Sequence, residues 1–371
     1  MSWPTDVDLP VLVQPDAELT DLEMHRYSRH LLLPEVGVLG QRKLKNAKVL
    51  LIGAGGLGSP AIAYLAAAGV GTIGIIDDDV VDVSNLQRQV LHSTSALGQA
   101  KVDSAAEQVA ALNPLVSVQS YQSRLTAQNA LQIFAEYDLV LDGSDNFATR
   151  YLVSDACEIL AKPLVWGSIL RFDGQVSVFW AGQGPTYRDI FPEPPAPDSV
   201  PSCSEAGVFG MLCGVIGSVM AGEAIKLITG AGTSLLGKLQ IFDQLESSWR
   251  TITVRPDPQR AAVTELIDYD EFCGVSMPES VAIRLADLAP NSYQMIDVRT
   301  PAETALAVLP GAILLPKTLL DSGDYSLLPE RPDGVALVLF CRTGLRSAVA
   351  ALALRQAGFH SVFSVAGGLE L

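Results

Sequence analysis

The sequence predicts an α/β protein built of two α/β domains of unequal size, the larger one first. Three observations predict it. Residues 48–52 (KVLLI) run directly into a glycine turn, Gly53-Ala54-Gly55-Gly56-Leu57-Gly58, and then into strong helix formers. Apolar strands then alternate with helical stretches, the signature of βαβ units and a mostly parallel sheet. A second and shorter series of apolar strands follows a stretch of scattered charge at residues 255–277.

The unbroken hydrophobicity of residues 48–52 is that of a strand buried on both faces. In the helix after the turn, Ser59 is placed to cap, Pro60 suits the first turn, and Gly69 ends the run. Residues 72–76 form a second strand ending at Asp77. A helix at 100–112, strands at 116–121 and 137–141, and a helix at 147–160 extend the pattern. Residues 168–180 alternate through Val176, Val178 and Trp180, suggesting antiparallel additions to the sheet. The Pro-rich stretch 182–203 reads as a long loop, and long loops in compact domains are often functional. An apolar helix at 206–228 and strands at 239–242 and 251–254 complete the first domain. The expected organisation is therefore 1–256, a linker or docking strap at 257–277, and 278–371, with short strands at 292–298, 335–341 and 361–365. No internal repeat is present.

The chain has 371 residues, 49% of them hydrophobic, enough for a large core. A formal charge of −16 excludes a general nucleic-acid binder, because nothing would neutralise a run of phosphates. The five cysteines form no C-x-x-C pair and the N-terminus lacks a basic-then-apolar leader, which implies free thiols in the cytoplasm. Between Lys48 and Asp77 no residue is charged, so a membrane span is a rival reading there. Its glycines, Pro60, the acidic exit Asp77-Asp78-Asp79 and the lack of a flanking Lys/Arg cluster favour strand, helix and strand, with no membrane.

A glycine turn between strand and helix presents backbone N–H groups to a phosphate, which alone means only a nucleotide of some kind. Asp77 would bind ribose in an NAD or an ATP enzyme alike. Residues 83–89 (VSNLQRQ), with Ser84, Asn85, Arg88 and Gln89, then Lys101, then Gly143-Ser144-Asp145-Asn146, separate the two. Arg88 and Lys101 can neutralise a triphosphate, and Asp145 can hold Mg²⁺ as a hard oxygen ligand. Taken singly, each such charge reads as solvated surface; their joint order around a strand, turn and helix points to ATP. Gln87, Gln89, Asn146 and Arg150 read as orienting neighbours. His30, His92 and His360 read as packing or surface residues.

The segment Arg26-Tyr27-Ser28-Arg29-His30, the glycine turn, SNLQRQ and SDN together resemble the ubiquitin-activating E1-type adenylyltransferases. Within that family the chain is similar to the molybdopterin-synthase and thiamin sulfur-carrier enzymes over residues 22–254. The resemblance implies a Rossmann-like domain with a mixed sheet. Gly53, Gly55, Gly56 and Gly58 would shape the phosphate site, with Gly56 against the phosphates. Asp77 would lie on ribose, Ser84, Asn85, Arg88, Gln89, Lys101 and Asn146 around the triphosphate, and Asp145 on Mg²⁺. Arg29 would reach the nucleotide of a partner subunit, implying a homodimer. Cys203, at the mouth of the expected helix, would be an accessible thiol of lowered pKa, linked by the resemblance to acyl or disulfide intermediates. The bland alternative is a small loop residue. Cys157 and Cys213 read as core, and Cys273 carries no assignment. Many relatives bind structural zinc through two C-x-x-C pairs. Here Pro192-Glu193-Pro194-Pro195 and Arg255-Pro256-Asp257-Pro258 stand in the comparable places, so no zinc is expected and proline stiffening would replace it.

In the second domain, Ile296-Asp297-Val298-Arg299, Leu309-Pro310-Gly311-Ala312, Cys341-Arg342-Thr343-Gly344-Leu345-Arg346 and Ala366-Gly367-Gly368 form a series that resembles a rhodanese over 278–371. A cysteine phosphatase is the alternative, but four residues between Cys341 and Arg346 make a shorter ring, suited to sulfur. Arg342, Arg346 and a helix over 347–356 would stabilise a Cys341 persulfide. The chain stops at Leu371, before the closing helix such a domain is expected to have. Jointly, the two resemblances imply ATP-dependent adenylation of a small ubiquitin-like sulfur-carrier protein ending in Gly-Gly. Sulfur transfer to a thiocarboxylate would follow, from a persulfide donor such as a cysteine desulfurase. An NAD-dependent oxidoreductase fused to a rhodanese and a non-catalytic carrier-binding scaffold are the rivals.

Overall fold

The structure is a computed structural model that describes residues 9–195, 206–274, 280–289, 292–323, 325–330, 332, 334–342 and 344–369. The described residues fall into two compact units, one ending at Phe272 and one starting at Cys273. Three short helices, α1 (Asp21–Arg26), α2 (Ser28–Leu31) and α3 (Gly37–Asn46), precede β1 (Lys48–Ile52). The sequence pattern did not reveal them: α1 and α2 are too short to display an apolar stripe, and α3 buries Gly40, Gln41 and Leu44, of which only Leu44 is a large apolar residue. From β1 the chain passes through α4 (Gly58–Ala68), β2 (Thr72–Ile76), α5 (Lys101–Leu112), β3 (Ser117–Tyr121), α6 (Ala130–Ala135), β4 (Leu139–Asp142) and α7 (Phe147–Ile159). Then come β5 (Leu164–Leu170), β6 (Asp173–Phe179), α8 (Gly210–Thr229), β7 (Lys238–Asp243) and β8 (Ser248–Thr253).

The eight strands lie in the order β3-β2-β1-β4-β5-β6-β7-β8, parallel from β3 to β5 and antiparallel from β5 to β8. Val49, Leu50, Leu51 and Ile52 of β1 are buried, as a central strand covered on both faces requires. Burying each such side chain contributes about 1.5–3 kcal/mol. The uncharged stretch considered as a membrane span is thus β1, a turn, α4 and β2. α8 is itself long and apolar enough to cross a bilayer, with mean hydropathy 1.7, but it packs on α3, α4, β5 and β6 as a core helix.

Three sequence expectations are corrected here. Ser59 does not cap α4: the N-cap is Leu57, without a side-chain hydrogen bond, and Ser59 Oγ turns back to the Ala54 carbonyl. The apolar helix begins at Gly210 rather than 206, because the residues before it are committed to a ladder: Arg171 N–H donates to the Gly207 carbonyl and Phe209 N–H to that of Arg171. The hairpin begins at Leu164, and its first strand joins the parallel sheet before pairing antiparallel with β6.

The stretch 257–272, which ends in α9 (Tyr269–Phe272), is tied to the first unit by ionic contacts. Asp189 accepts hydrogen bonds from the N–H groups of Thr186 and Asp257 and from Arg260 Nε, while Arg260 Nη2 reaches Glu158 of α7 at 3.1 Å. Burial alone would raise the Asp189 pKa, but these donors hold it below its ordinary value. Beside it Arg188 forks onto buried Asp155 at 2.7 and 2.8 Å, and the Tyr269 hydroxyl donates to the same carboxylate. These contacts form an ionic clamp that ties the stretch to α7 and to the turn at residues 186–189.

The second unit holds β9 (Ala282–Ile283), β10 (Tyr293–Asp297), α10 (Pro301–Leu306), β11 (Ile313–Leu314), α11 (Lys317–Asp321), β12 (Ala336–Phe340), α12 (Leu345–Gln356) and β13 (Val362–Val365). Its five strands are all parallel, in the order β11-β10-β12-β13-β9. β12, buried along its whole length, delivers Cys341 to the C-terminal edge of this sheet.

Candidate functional sites

Strand order reverses between β1 and β4, whose following connections diverge to opposite sides. A crevice at the carboxyl ends of the strands is the geometric result. It is a cleft of about 360 Å³ lined by the glycine turn, Asp77, Arg88, Gln89, Lys101, Arg124, Asp145, Asn146 and Arg150, among others. The turn is tight enough that a Cβ on Gly58 would lie 2.0 Å from the Gly53 carbonyl oxygen. α4 has no side-chain cap: the Ser59 N–H donates to the Gly55 carbonyl and Pro60 has no N–H, which leaves the Gly58 N–H without an acceptor among the described residues.

The polar groups around the cleft are fixed before any nucleotide arrives. Asp77 accepts the Ala54 N–H at 2.8 Å and the Asp79 N–H at 2.9 Å. Burial raises its pKa, against the pull of Lys101 and of those two amides. Lys101, almost wholly buried, pairs with exposed Asp79 at 2.7 Å, so a polyphosphate must draw Lys101 away from that carboxylate. Arg88 crosses the glycine turn and donates to the Ser84 carbonyl. Arg150 is buried, donates to the Ser144 carbonyl and lies over the Phe147 and Trp166 rings. The Gln89 side-chain oxygen is buried without a hydrogen-bond partner among the described residues, as suits a group that awaits a ligand.

The structure thus gathers Gly53, Gly55, Gly56, Asp77, Arg88, Gln89, Lys101, Asp145 and Asn146 around one cleft. Ser84, Asn85 and Gly58 do not line it. Asn85 is engaged in a reciprocal cap with Asp82 that shapes the turn carrying Arg88, and Gly58 serves by its lack of a Cβ. Asn146 also caps α7 through the Thr149 N–H. Arg29 is exposed on α2, away from its own chain's cleft. Cys203 lies outside the described residues. Arg124, which pairs with Asp270 across the cleft's edge, was missed; its partner is 146 residues away and no local pattern marks it. The group of three metal-capable side chains that converges among the described residues is Asp77, Asp78 and Asp79, which includes no thiol.

In the second unit the chain leaves β12 at Cys341 and enters α12 through Gly344, whose φ of +87° closes the loop. Gly344 N–H donates to Cys341 Sγ at 3.1 Å, and the Ser347 hydroxyl lies 3.6 Å from the same sulfur. Cys341 is fully buried in this state. Arg342 is exposed, but Arg346 departs from expectation. Its guanidinium is forked onto Glu303 at 2.7 and 2.9 Å, so its charge is balanced and its role is to brace the loop against α10. Burial opposes ionisation of Glu303, yet Arg346 and Thr300 outweigh it and bring its pKa down to about 2. Asp297 and Arg299 form a buried fork of their own beneath the loop. Gly368 closes the far side: its φ is +75° and a Cβ there would lie 2.3 Å from the Arg342 carbonyl oxygen.

Comparison with known proteins gives the family of each unit. The ThiF family matches residues 27–263, and the rhodanese-like domain matches residues 282–371. A probable adenylyltransferase/sulfurtransferase MoeZ of Mycobacterium tuberculosis is 51% identical over 376 residues, covering 97% of this chain and 95% of that protein. The adenylyltransferase and sulfurtransferase MOCS3 of Drosophila yakuba is 42% identical, over 95% of this chain and 83% of that one. A sulfur carrier protein adenylyltransferase of Thermus thermophilus is 52% identical over 69% of this chain and 98% of its own length. Among solved structures, E. coli MccB with ATP aligns with a TM-score of 0.55 over 64% of this chain and 74% of that one. At 22% identity this shows the shared fold.

Gly368→Ala should disable the cysteine loop, because both its positive φ and the contact with Arg342 oppose a Cβ. The rate at which Cys341 accepts sulfur from a persulfide donor is expected to fall at least about tenfold. An unchanged rate would show that the loop does not depend on this close approach.

Proposed function

Because this chain belongs to the ThiF family and carries a rhodanese-like domain, we propose that it activates and then sulfurates a small ubiquitin-like carrier protein ending in Gly-Gly. It is an adenylyltransferase and sulfurtransferase that uses ATP. The observation that carries the reading is one chain holding both a switch-point cleft with Arg88, Lys101, Arg124 and Arg150 on its walls and a loop that aims an amide at a cysteine sulfur. A nicotinamide site has no use for so many cations, and a scaffold has no use for the sulfur loop.

In the first stage the carrier's terminal carboxylate attacks the α-phosphorus of ATP. Pyrophosphate leaves and an acyl adenylate remains. Arg88, Lys101 and the amides of the glycine turn hold the phosphates and offset the charge that develops on them. Asp145, which lines the cleft, would hold Mg²⁺ through its hard carboxylate oxygens, and the ion would neutralise further charge. In the second stage the outer sulfur of a Cys341 persulfide attacks the acyl carbon, the carbon–oxygen bond breaks and AMP leaves. The product is an acyl disulfide. A further thiol, Cys203 or a small external one, then attacks the Cys341 sulfur, releasing the carrier thiocarboxylate and leaving a disulfide.

The reading extends to a cytoplasmic homodimer without zinc, supplied with sulfur by a persulfide donor such as a cysteine desulfurase. Its dimeric part is supported by Arg29, which is exposed on α2 and free to serve a neighbouring cleft. Cys341→Ala should leave carrier-dependent ATP–pyrophosphate exchange near wild type and stop thiocarboxylate formation from a persulfide donor. Undiminished thiocarboxylate formation would make Cys341 dispensable. Arg29→Ala and Asp145→Ala should each abolish exchange alone and partly restore it when mixed. No rescue despite demonstrated subunit exchange would contradict the shared site.

A further inference from the structure

His92 reads from the sequence as a packing residue, and it is nearly fully buried. Both of its ring nitrogens are nonetheless engaged. Nε2 lies 2.9 Å from the Ala54 carbonyl oxygen, inside the glycine turn, and Nδ1 lies 2.9 Å from Ser104 Oγ on α5. A carbonyl only accepts, so Nε2 must carry the hydrogen. Burial lowers the ring's pKa, opposed by its bond to Ala54, so the neutral ring is favoured. Nδ1 then accepts from the Ser104 hydroxyl.

Peptide planarity turns this contact into a statement about the nucleotide site. No peptide bond in the described residues is cis. In a trans peptide the carbonyl and the following N–H point in opposite directions. The Ala54 carbonyl is drawn inward to His92, so the Gly55 N–H faces outward, into the cleft that Gly55 lines. No acceptor among the described residues takes that N–H. The Ala54 N–H is pinned as well, by Asp77. Through Ser104 the imidazole also ties the turn to α5, whose first residue is Lys101. Two phosphate-binding elements that are far apart in sequence are thereby held in one register.

We propose that His92 is a positioning residue that, through the Ala54–Gly55 peptide, aims the Gly55 amide at a phosphate of the bound nucleotide. The inference rests on the adenylation reading for the identity of that nucleotide. It assigns a task to a side chain that touches neither substrate nor reacting atoms. Its signature is a penalty confined to ligands that carry phosphates, because the adenosine part of the nucleotide does not depend on the Gly55 N–H.

The test compares the full-length wild type with His92→Leu, His92→Gln and Ser104→Ala. Calorimetry measures ATP and adenosine binding, and exchange kinetics measure kcat and KM for ATP. His92→Leu should weaken ATP by about tenfold or more, the scale of a charge-assisted hydrogen bond, and leave adenosine within about twofold. His92→Gln, whose amide can still donate to the Ala54 carbonyl, should recover most of the loss. Ser104→Ala should weaken ATP in the same direction by less. It also keeps the test open if His92→Leu does not fold. Wild-type ATP affinity in His92→Leu, equal loss of ATP and adenosine, or failure of His92→Gln to recover would each overturn the proposal. The binding contrast stands apart from the proposed function: a wild type that binds ATP but catalyses no exchange would sink that function and leave this comparison decisive.

Discussion

Everything at the nucleotide end of the first unit depends on the chain turning from β1 into α4 within six residues, at such close range that Gly58 has no room for a side chain against the Gly53 carbonyl. That constraint leaves the Gly55 and Gly58 N–H groups without acceptors among the described residues. Polar groups from elsewhere then fix the turn at Ala54: Asp77, just after β2, accepts its N–H, and His92, from the segment before α5, donates to its carbonyl. Lys101 and Arg88 arrive from the same stretch of chain and place positive charge where a phosphate chain would lie. The turn's peptide groups are thus oriented before a ligand binds, while Lys101 must exchange Asp79 for the phosphates.

The second unit solves a related problem with the same means. A buried strand leads to Cys341, and the helix after it begins without a side-chain cap, with the Gly344 N–H turned to Cys341 Sγ. What differs is exposure. The nucleotide turn opens onto a cleft, whereas Cys341 is fully buried, with Gly368 packed on the Arg342 carbonyl and the Arg346–Glu303 fork beside it. The two units thus share one device, a glycine-bearing turn between a buried strand and a helix without a side-chain cap.

Much of this was legible from local pattern. The strand, glycine turn and helix, the βαβ alternation, the SNLQRQ segment and the short loop from Cys341 to Arg346 are all contiguous signals, and contiguous signals survive in a sequence. What escaped depends on contacts between distant residues. Arg124 is marked only by Asp270, Arg260 only by Asp189 and Glu158, and His92 only by Ala54 and Ser104. Arg346 was misjudged for the same reason: its charge was visible, but Glu303, which balances it, sits 43 residues earlier. The start of α8 was placed too early because apolar composition cannot show that residues 207–209 are held in a ladder with Arg171.

The central claim is that adenylation and sulfur delivery are consecutive steps on one carrier. Intact mass spectrometry of a Gly-Gly-ended carrier, incubated with the enzyme and a persulfide donor in the presence and absence of ATP, tests it most directly. The account predicts replacement of one carrier oxygen by sulfur that requires both ATP and the donor, with the carrier adenylate accumulating when the donor is left out. Sulfur incorporation without ATP, or no adenylate under donor starvation, would contradict it.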